Sequence, residues 1–207
     1  NIIPIFNEEK FLSKLLKLVL SQKLNVAKEI IAVDDCSIDQ TKKILENYKH
    51  KIDHIIYHNK NSGKGAAIQS ALKVSTGDII IIQDADLEYD PNDYQKLINP
   101  ILAGKTKVVY GSRVLNKKRY SENSFTSLFR VLANHFLTIF SNILNNQNLT
   151  DAHTCYKVFH KEVLKDIKLK EKGFAFCPEI TTKISNLNID IHEVPISYSG
   201  RSYLDGK

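Results

Sequence analysis

Residues 78 to 91, Asp-Ile-Ile-Ile-Ile-Gln-Asp-Ala-Asp-Leu-Glu-Tyr-Asp-Pro, constrain this chain more than any other stretch, because four isoleucines run directly into a knot of carboxylates. Four consecutive β-branched apolar residues suit a strand buried on both faces, as in a parallel sheet flanked by helices. On an extended backbone Asp84 and Asp86 share a face, and Glu88 continues the row. Three like charges so placed repel unless a cation sits among them. Mg²⁺ and Mn²⁺ suit such a site, because these hard ions accept one or two carboxylates and leave their remaining positions to water and phosphate. The carboxyl end of a parallel strand is also where open α/β sheets bind ligands. A solvated acidic turn, closed by Asp90-Pro91 as a helix start, is the other reading of the same residues.

The rest of the chain alternates strand and helix without a linker or repeat, which predicts one α/β domain over residues 1–207. Strands are expected at 2–6, 29–33, 52–57, 79–82, 108–110, up to residue 159, and 189–198. Helices are expected to open at Asn7-Glu8-Glu9, at Asp39, after Gly65, from Pro91 and with Gly173 to Glu179. Polar residues gather where strands end: Asp34-Asp35-Cys36-Ser37, Asn61-Ser62-Gly63-Lys64-Gly65, the acidic loop, and Gly111-Ser112-Arg113. Right-handed crossovers put those ends along one sheet edge. Either Asp34 or Asp35 is then placed to accept hydrogen bonds from a ribose or base, although capping and turn formation explain the same residues. Gly63-Lys64-Gly65 lacks the spacing of the known phosphate loops, but it puts Lys64 and backbone amides within reach of a pyrophosphate.

The net charge of +6 favours an anionic partner. Only four of the 29 basic residues are arginines (Arg113, Arg119, Arg130, Arg201), and arginine offers phosphate a planar fork that lysine lacks. Three dispersed cysteines argue against a disulfide framework or a cysteine-rich zinc site, and the seven histidines show no metal-binding spacing. No apolar run reaches the ~18 to 20 residues that span a bilayer. A start at Asn1 and an abrupt stop after Lys207 suggest a fragment. The longest helical pattern, 124–145, carries Phe125, Phe129, Leu132, Phe136, Phe140 and Ile143 along one face. It reads first as a core helix and second as a membrane-contacting one. Arg130 and Asn134 are four apart and share another face.

Six blocks in order, Pro4-Ile5-Phe6-Asn7-Glu8, Asp34-Asp35-Cys36-Ser37, Asp84-Ala85-Asp86-Leu87-Glu88, Gly111-Ser112-Arg113, Thr150-Asp151 with Thr154-Cys155-Tyr156-Lys157, and Arg201 to Lys207, span nearly the whole chain. Together they resemble the family 2 glycosyltransferases of GT-A fold, and within them the dolichyl- or polyprenyl-phosphate mannose and glucose synthases. Two departures stand out: Phe6 where that family usually has tyrosine, and Cys36 where glycine is common.

The resemblance implies a Rossmann-like, mostly parallel sheet and an inverting transfer of mannose or glucose from GDP-mannose or UDP-glucose to a polyprenyl or dolichyl phosphate. By the same resemblance Pro4, Phe6, Glu8, Val33, Asp35, Lys64, Asp84, Ala85, Asp86, Arg201 and Lys207 hold the donor. Asp84, Asp86 and Glu88 hold Mg²⁺ or Mn²⁺, and Arg113, Arg130 and Asn134 hold the acceptor phosphate. Asp84, Asp86, Arg113 and Arg130 are the expected catalytic set, with Asp151 orienting the arginine face. The implied setting is the cytoplasmic face of a membrane, with no nucleic acid involved, reached through surface charge, an amphipathic face, a C-terminal segment or an anchoring partner. Other readings are a family 2 enzyme acting on a hydroxyl acceptor, a sugar nucleotidyltransferase and a binding-only relative.

Overall fold

The computed structural model describes residues 1–115 and 125–201, with the backbone alone over 125–130. Strand β1 (Ile2–Ile5) leads to α1 (Leu12–Ser21), β2 (Ile31–Asp34), α2 (Thr41–Tyr48), β3 (His54–Tyr57), α3 (Lys64–Val74) and β4 (Ile79–Ile81). A 3-10 turn at Pro91–Asp93 opens α4 (Tyr94–Leu102), with the Asp90 side chain accepting from the Asn92 amide as a cap. Then come β5 (Val108–Ser112), α5 (Phe125–Asn145), β6 (Lys157–His160), α6 (Lys161–Lys165), α7 (Phe176–Asn186) and β7 (His192–Pro195).

The first three strands pair in parallel in the order β1-β2-β3, and a second group runs β4-β6-β5-β7. A parallel bridge between Ile2 and Ile82, with the Gln83 amide donating to the Ile2 carbonyl at 2.9 Å, joins them edge to edge. The combined order is therefore β3-β2-β1-β4-β6-β5-β7. The isoleucine run does form a buried strand, but its neighbours differ: β1 lies parallel on one side and β6 antiparallel on the other. β6 is antiparallel to β5 as well, so the sheet is mixed around it although most pairs are parallel. The reversal brings the start of β6, and the loop before it, to the edge where β5 ends.

Helical periodicity decides which faces are buried. In α1 the apolar residues Leu12, Leu15, Leu16 and Val19 recur at i, i+3, i+4 and i+7, and all four are buried. Each contributes roughly 1.5–3 kcal/mol by leaving water. The preceding Asn7-Glu8-Glu9 is a turn rather than the helix itself, with the Glu8 carbonyl accepting from the Phe11 and Leu12 amides. α3 packs on β1 and β2, α4 on β5 and β6, and α5 against α7.

The expectation that α5 is a core helix fails. Along its stripe Phe136 is 70% and Ile143 74% exposed, and Leu132 and Phe140 are exposed too. Periodicity marks the stripe as one face but does not say what covers it, and here no part of the described chain does.

Candidate active site at the carboxyl edge of the sheet

The acidic loop is held from beneath by a buried glutamine. Gln83 Oε1 accepts from the Tyr94 and Tyr156 hydroxyls at 2.8 and 2.6 Å, while its Nε2 donates to the Asp84 carbonyl at 2.8 Å. This fixes the backbone just where the strand ends. Beyond it the chain turns instead of running on. Leu87 has φ 61°, the left-handed region, and Asp86 Oδ1 accepts from the Glu88 amide at 3.0 Å. The expected row of three carboxylates on one extended face is therefore corrected. Glu88 is buried and spent elsewhere: Oε2 accepts from the Tyr198 hydroxyl at 2.7 Å and Oε1 from the Arg201 amide at 2.8 Å. It clamps the 198–201 segment over the site.

The remaining carboxylates are offset by two cations. Lys64 Nζ lies 2.5 Å from Asp84 Oδ1, and the Arg201 guanidinium reaches Glu8 at 3.3 Å and Asp86 at 3.6 Å. Burial works against the Lys64 ammonium, yet the adjacent Asp84 outweighs it and holds the pKa above the ordinary lysine value. Burial, with Asp84 beside it, pushes Asp86 up to about 6. Burial likewise raises Glu8 to about 7 despite Arg201. Among the described residues no group of three or more His, Cys, Asp or Glu side chains is arranged to hold a metal ion. The donor set that remains, Asp84 and Asp86, is still the hard-oxygen pair that Mg²⁺ or Mn²⁺ shares with substrate phosphates.

A cavity of about 400 Å³ opens beside this loop, lined among others by Pro4, Phe6, Glu8, Asp35, Lys64, Asp84, Ala85, Asp86 and Arg201. Nine of the expected donor residues thus meet in one space, although their sequence positions run from 4 to 201. Val33 does not join them: it is fully buried in β2, because its side chain belongs to the core. Of the Asp34/Asp35 pair, Asp35 lines the cavity. Its oxygens accept from the Ser62 and Gly63 amides, at 2.9 and 2.6 Å, and lie 2.6 Å from His58 Nδ1. Asp35 thereby shapes the loop that presents Lys64. Cys36, at the position where glycine is common in the resembling family, has φ 67°, a conformation glycine adopts at no steric cost. Phe6, in place of tyrosine, is 45% exposed on the cavity wall.

On the other side Arg113, just past the end of β5, donates to Asp151 bidentately along one edge, Nε to Oδ2 at 2.7 Å and Nη2 to Oδ1 at 2.8 Å. The guanidinium holds the Asp151 carboxyl below the usual range even though burial alone would raise it. Arg113 also lies over the Tyr198 ring at 5.2 Å, one side chain away from the Glu88 clamp.

Two residues support this corner: Glu193, which no motif marked, and Lys157, which closes one of the six blocks but had no role assigned. Glu193 of β7 accepts from the Thr150 and Asp151 amides at 2.7 and 2.9 Å. The fully buried Lys157 donates to the Ala152 and Thr154 carbonyls at 2.9 and 2.8 Å. Their partners come from other parts of the loop and sheet, so the sequence blocks did not reveal what either residue holds. Asn134 is half-buried on α5 and, like Arg113, is not among the cavity residues. The Arg130 side chain and Lys207 lie outside the described residues.

Comparison with known proteins follows the same outline. The sequence description of glycosyl transferase family 2 matches residues 2–168. The chain is 29% identical to the UDP-N-acetylglucosamine–dolichyl-phosphate N-acetylglucosaminyltransferase of Methanococcus voltae, over 94% of this chain and 83% of that one. It is also 29% identical to a dolichyl-phosphate beta-glucosyltransferase of Trichomonas vaginalis. That match covers 96% of this chain and 64% of the relative, so the chain spans less than two thirds of that protein. Among solved structures, glucosyl-3-phosphoglycerate synthase from Mycobacterium tuberculosis with Mg²⁺ and uridine-diphosphate has a TM-score of 0.74 at 17% identity. The match covers 98% of this chain and 72% of that chain, a likeness of fold.

Proposed function

Because the chain belongs to glycosyl transferase family 2, we propose that this GT-A glycosyltransferase moves a hexose from a nucleoside-diphosphate sugar to a polyprenyl or dolichyl phosphate. The observation that carries the reading is the pairing of two anion sites on one sheet edge. A cavity ending in Asp84, Asp86 and Lys64 stands near a carboxylate-oriented Arg113, linked through Tyr198 and Glu88. The two dolichyl-phosphate relatives support a lipid-phosphate acceptor, and the UDP-N-acetylglucosamine named for one of them supports a nucleoside-diphosphate sugar as donor, here proposed to be GDP-mannose or UDP-glucose.

Pro4, Phe6 and Glu8 line the nucleoside end, while Asp35 holds the loop that presents Lys64. Lys64 and Arg201 are the cations nearest the diphosphate position, and both must exchange carboxylate partners for phosphate when donor binds. Asp84 and Asp86 would hold Mg²⁺ or Mn²⁺, which when bound supplies positive charge to the leaving diphosphate. Arg113, with Arg130 and Asn134 as further candidates, grips the acceptor phosphate. That phosphate is anionic at neutral pH, so it requires orientation more than deprotonation. Its oxygen attacks the anomeric carbon on the face opposite the leaving group, inverting the centre. A hydroxyl acceptor would need a free base, and the locked Asp151 carboxylate favours orientation of Arg113 over that role.

Among the described residues no helix is long and apolar enough to cross a membrane. A lipid phosphate nonetheless lies at a bilayer surface, and the exposed stripe of α5 is the face proposed to rest there. A basic run just before that helix in the sequence, Lys117-Lys118-Arg119, is a candidate patch for anionic headgroups and lies outside the described residues. The test is transfer of labelled sugar from a panel of nucleotide sugars to a short polyprenyl phosphate, with and without chelator. A lipid-linked product that disappears with chelator is expected, and its absence with every donor would reject the reading.

A further inference from the structure

Phe174 is the most exposed large apolar side chain that lines the donor cavity, at 81% exposure, and neither sequence motif nor mechanism uses it. An apolar ring so open to water on a surface loop would be unremarkable if the loop were free, but this one is tied on both sides. The Ala66 amide donates to the Lys172 carbonyl at 2.9 Å, and Gln69 Nε2 to the Glu171 carbonyl at 2.9 Å. Glu179 accepts from the Lys170 and Glu171 amides at 2.8 and 2.9 Å. The Cys177 amide donates to the Phe174 carbonyl at 3.1 Å as α7 begins.

The seat of this loop is built for close approach. A Cβ at Gly63 would come within 2.6 Å of the Lys172 carbonyl oxygen, and one at Gly65 within 2.4 Å of the Glu171 oxygen. Glycine at both positions therefore lets the backbone before Phe174 lie directly on the loop that Asp35 shapes. The Gly63-Lys64-Gly65 motif thus has a second use beyond presenting Lys64: it sets the position of an aromatic ring from the distant 170–175 loop.

From the fixed backbone, the open ring and the shared cavity, we infer that Phe174 is a donor-binding residue that works with Phe6 to hold the nucleobase between aromatic side chains from two loops. A nucleobase is the planar part of a nucleotide sugar, and a ring held on a fixed backbone stacks on it with little entropy left to lose. Such stacking tolerates different bases, so Phe174 contributes affinity, and the choice between uridine and guanosine donors falls to other groups. This inference rests on the reading of the cavity as a donor site.

Calorimetric titration of the protein with UDP and with GDP, and with UDP-glucose and GDP-mannose, in the presence of Mn²⁺, tests it. For whichever nucleotide the wild type binds, Phe174→Ala and Phe174→Leu are expected to weaken binding about tenfold, while Phe174→Trp restores it. The exposure of the ring means that none of these variants removes core packing. Unchanged affinity in Phe174→Ala, or full affinity in Phe174→Leu, overturns the stacking role. A loss confined to the sugar-bearing donor overturns the nucleobase assignment. Wild-type protein that binds neither nucleotide overturns the donor reading itself, and with it this inference.

Discussion

Arg113 and Asp151 show how much a single residue's role depends on a partner far along the chain. Their bidentate contact along one edge fixes the guanidinium plane. Arg113→Lys is expected to fold, because charge is kept opposite Asp151, but to raise the KM for polyprenyl phosphate about tenfold as the fork geometry is lost. Nucleotide affinity should not move. Steady-state kinetics with either substrate varied, set beside nucleotide titration, checks this. Reduced nucleotide binding at an unchanged acceptor KM would put Arg113 on the donor diphosphate. Asp84, Asp86, Lys64 and Arg113 were legible from sequence because each follows a strand. The use of Glu88 was not, because Tyr198 and Arg201, which occupy its oxygens, are 110 and 113 positions away.

Among the elements, α5 and β6 mark where sequence patterns stop short. Alternating strand and helix located nearly every element, and the isoleucine run located β4. The direction of β6 depends on long-range pairing that no local pattern encodes. The stripe on α5 was visible as a periodicity, but whether it faces protein or lipid depends on what packs around it. Replacing Phe136 and Phe140 together by Asp should leave the melting temperature nearly unchanged, since both rings are already exposed. It should lower partitioning onto anionic vesicles roughly tenfold or more, because each apolar side chain that inserts contributes about 1.5–3 kcal/mol. Vesicle co-sedimentation reads the second effect. Unchanged partitioning of the double variant would remove α5 from the membrane surface.

At the scale of the molecule, the clustered carboxylates link metal, pH and stability. Glu8 rises from 4.5 to about 7 and Asp86 from 3.8 to about 6 in the folded protein, so the fold binds these protons more tightly than the unfolded chain does. Their contribution is complete below about pH 4 and is lost as pH rises through about 6 to 7. Asp151, held low by Arg113, acts in the opposite sense, and its contribution is lost only as pH falls below the ordinary aspartate range. The metal-free melting midpoint of the wild type measured against Glu8→Gln should therefore decline from about pH 4 to 7, with a smaller decline when Mn²⁺ is added. The N-terminus and His153, which act in the opposite sense, are common to both proteins. A difference between the two that rises across this window would contradict the picture of an underneutralised acidic site.

On the proposed reading a phosphate, and not a hydroxyl, is the group that attacks the sugar. The most direct measurement offers the enzyme, with a labelled nucleotide sugar and Mn²⁺, a short polyprenyl phosphate and the matching polyprenol in parallel. Labelled product from the phosphate alone, lost in Asp84→Asn, is the predicted result; equal or greater transfer to the polyprenol would contradict it.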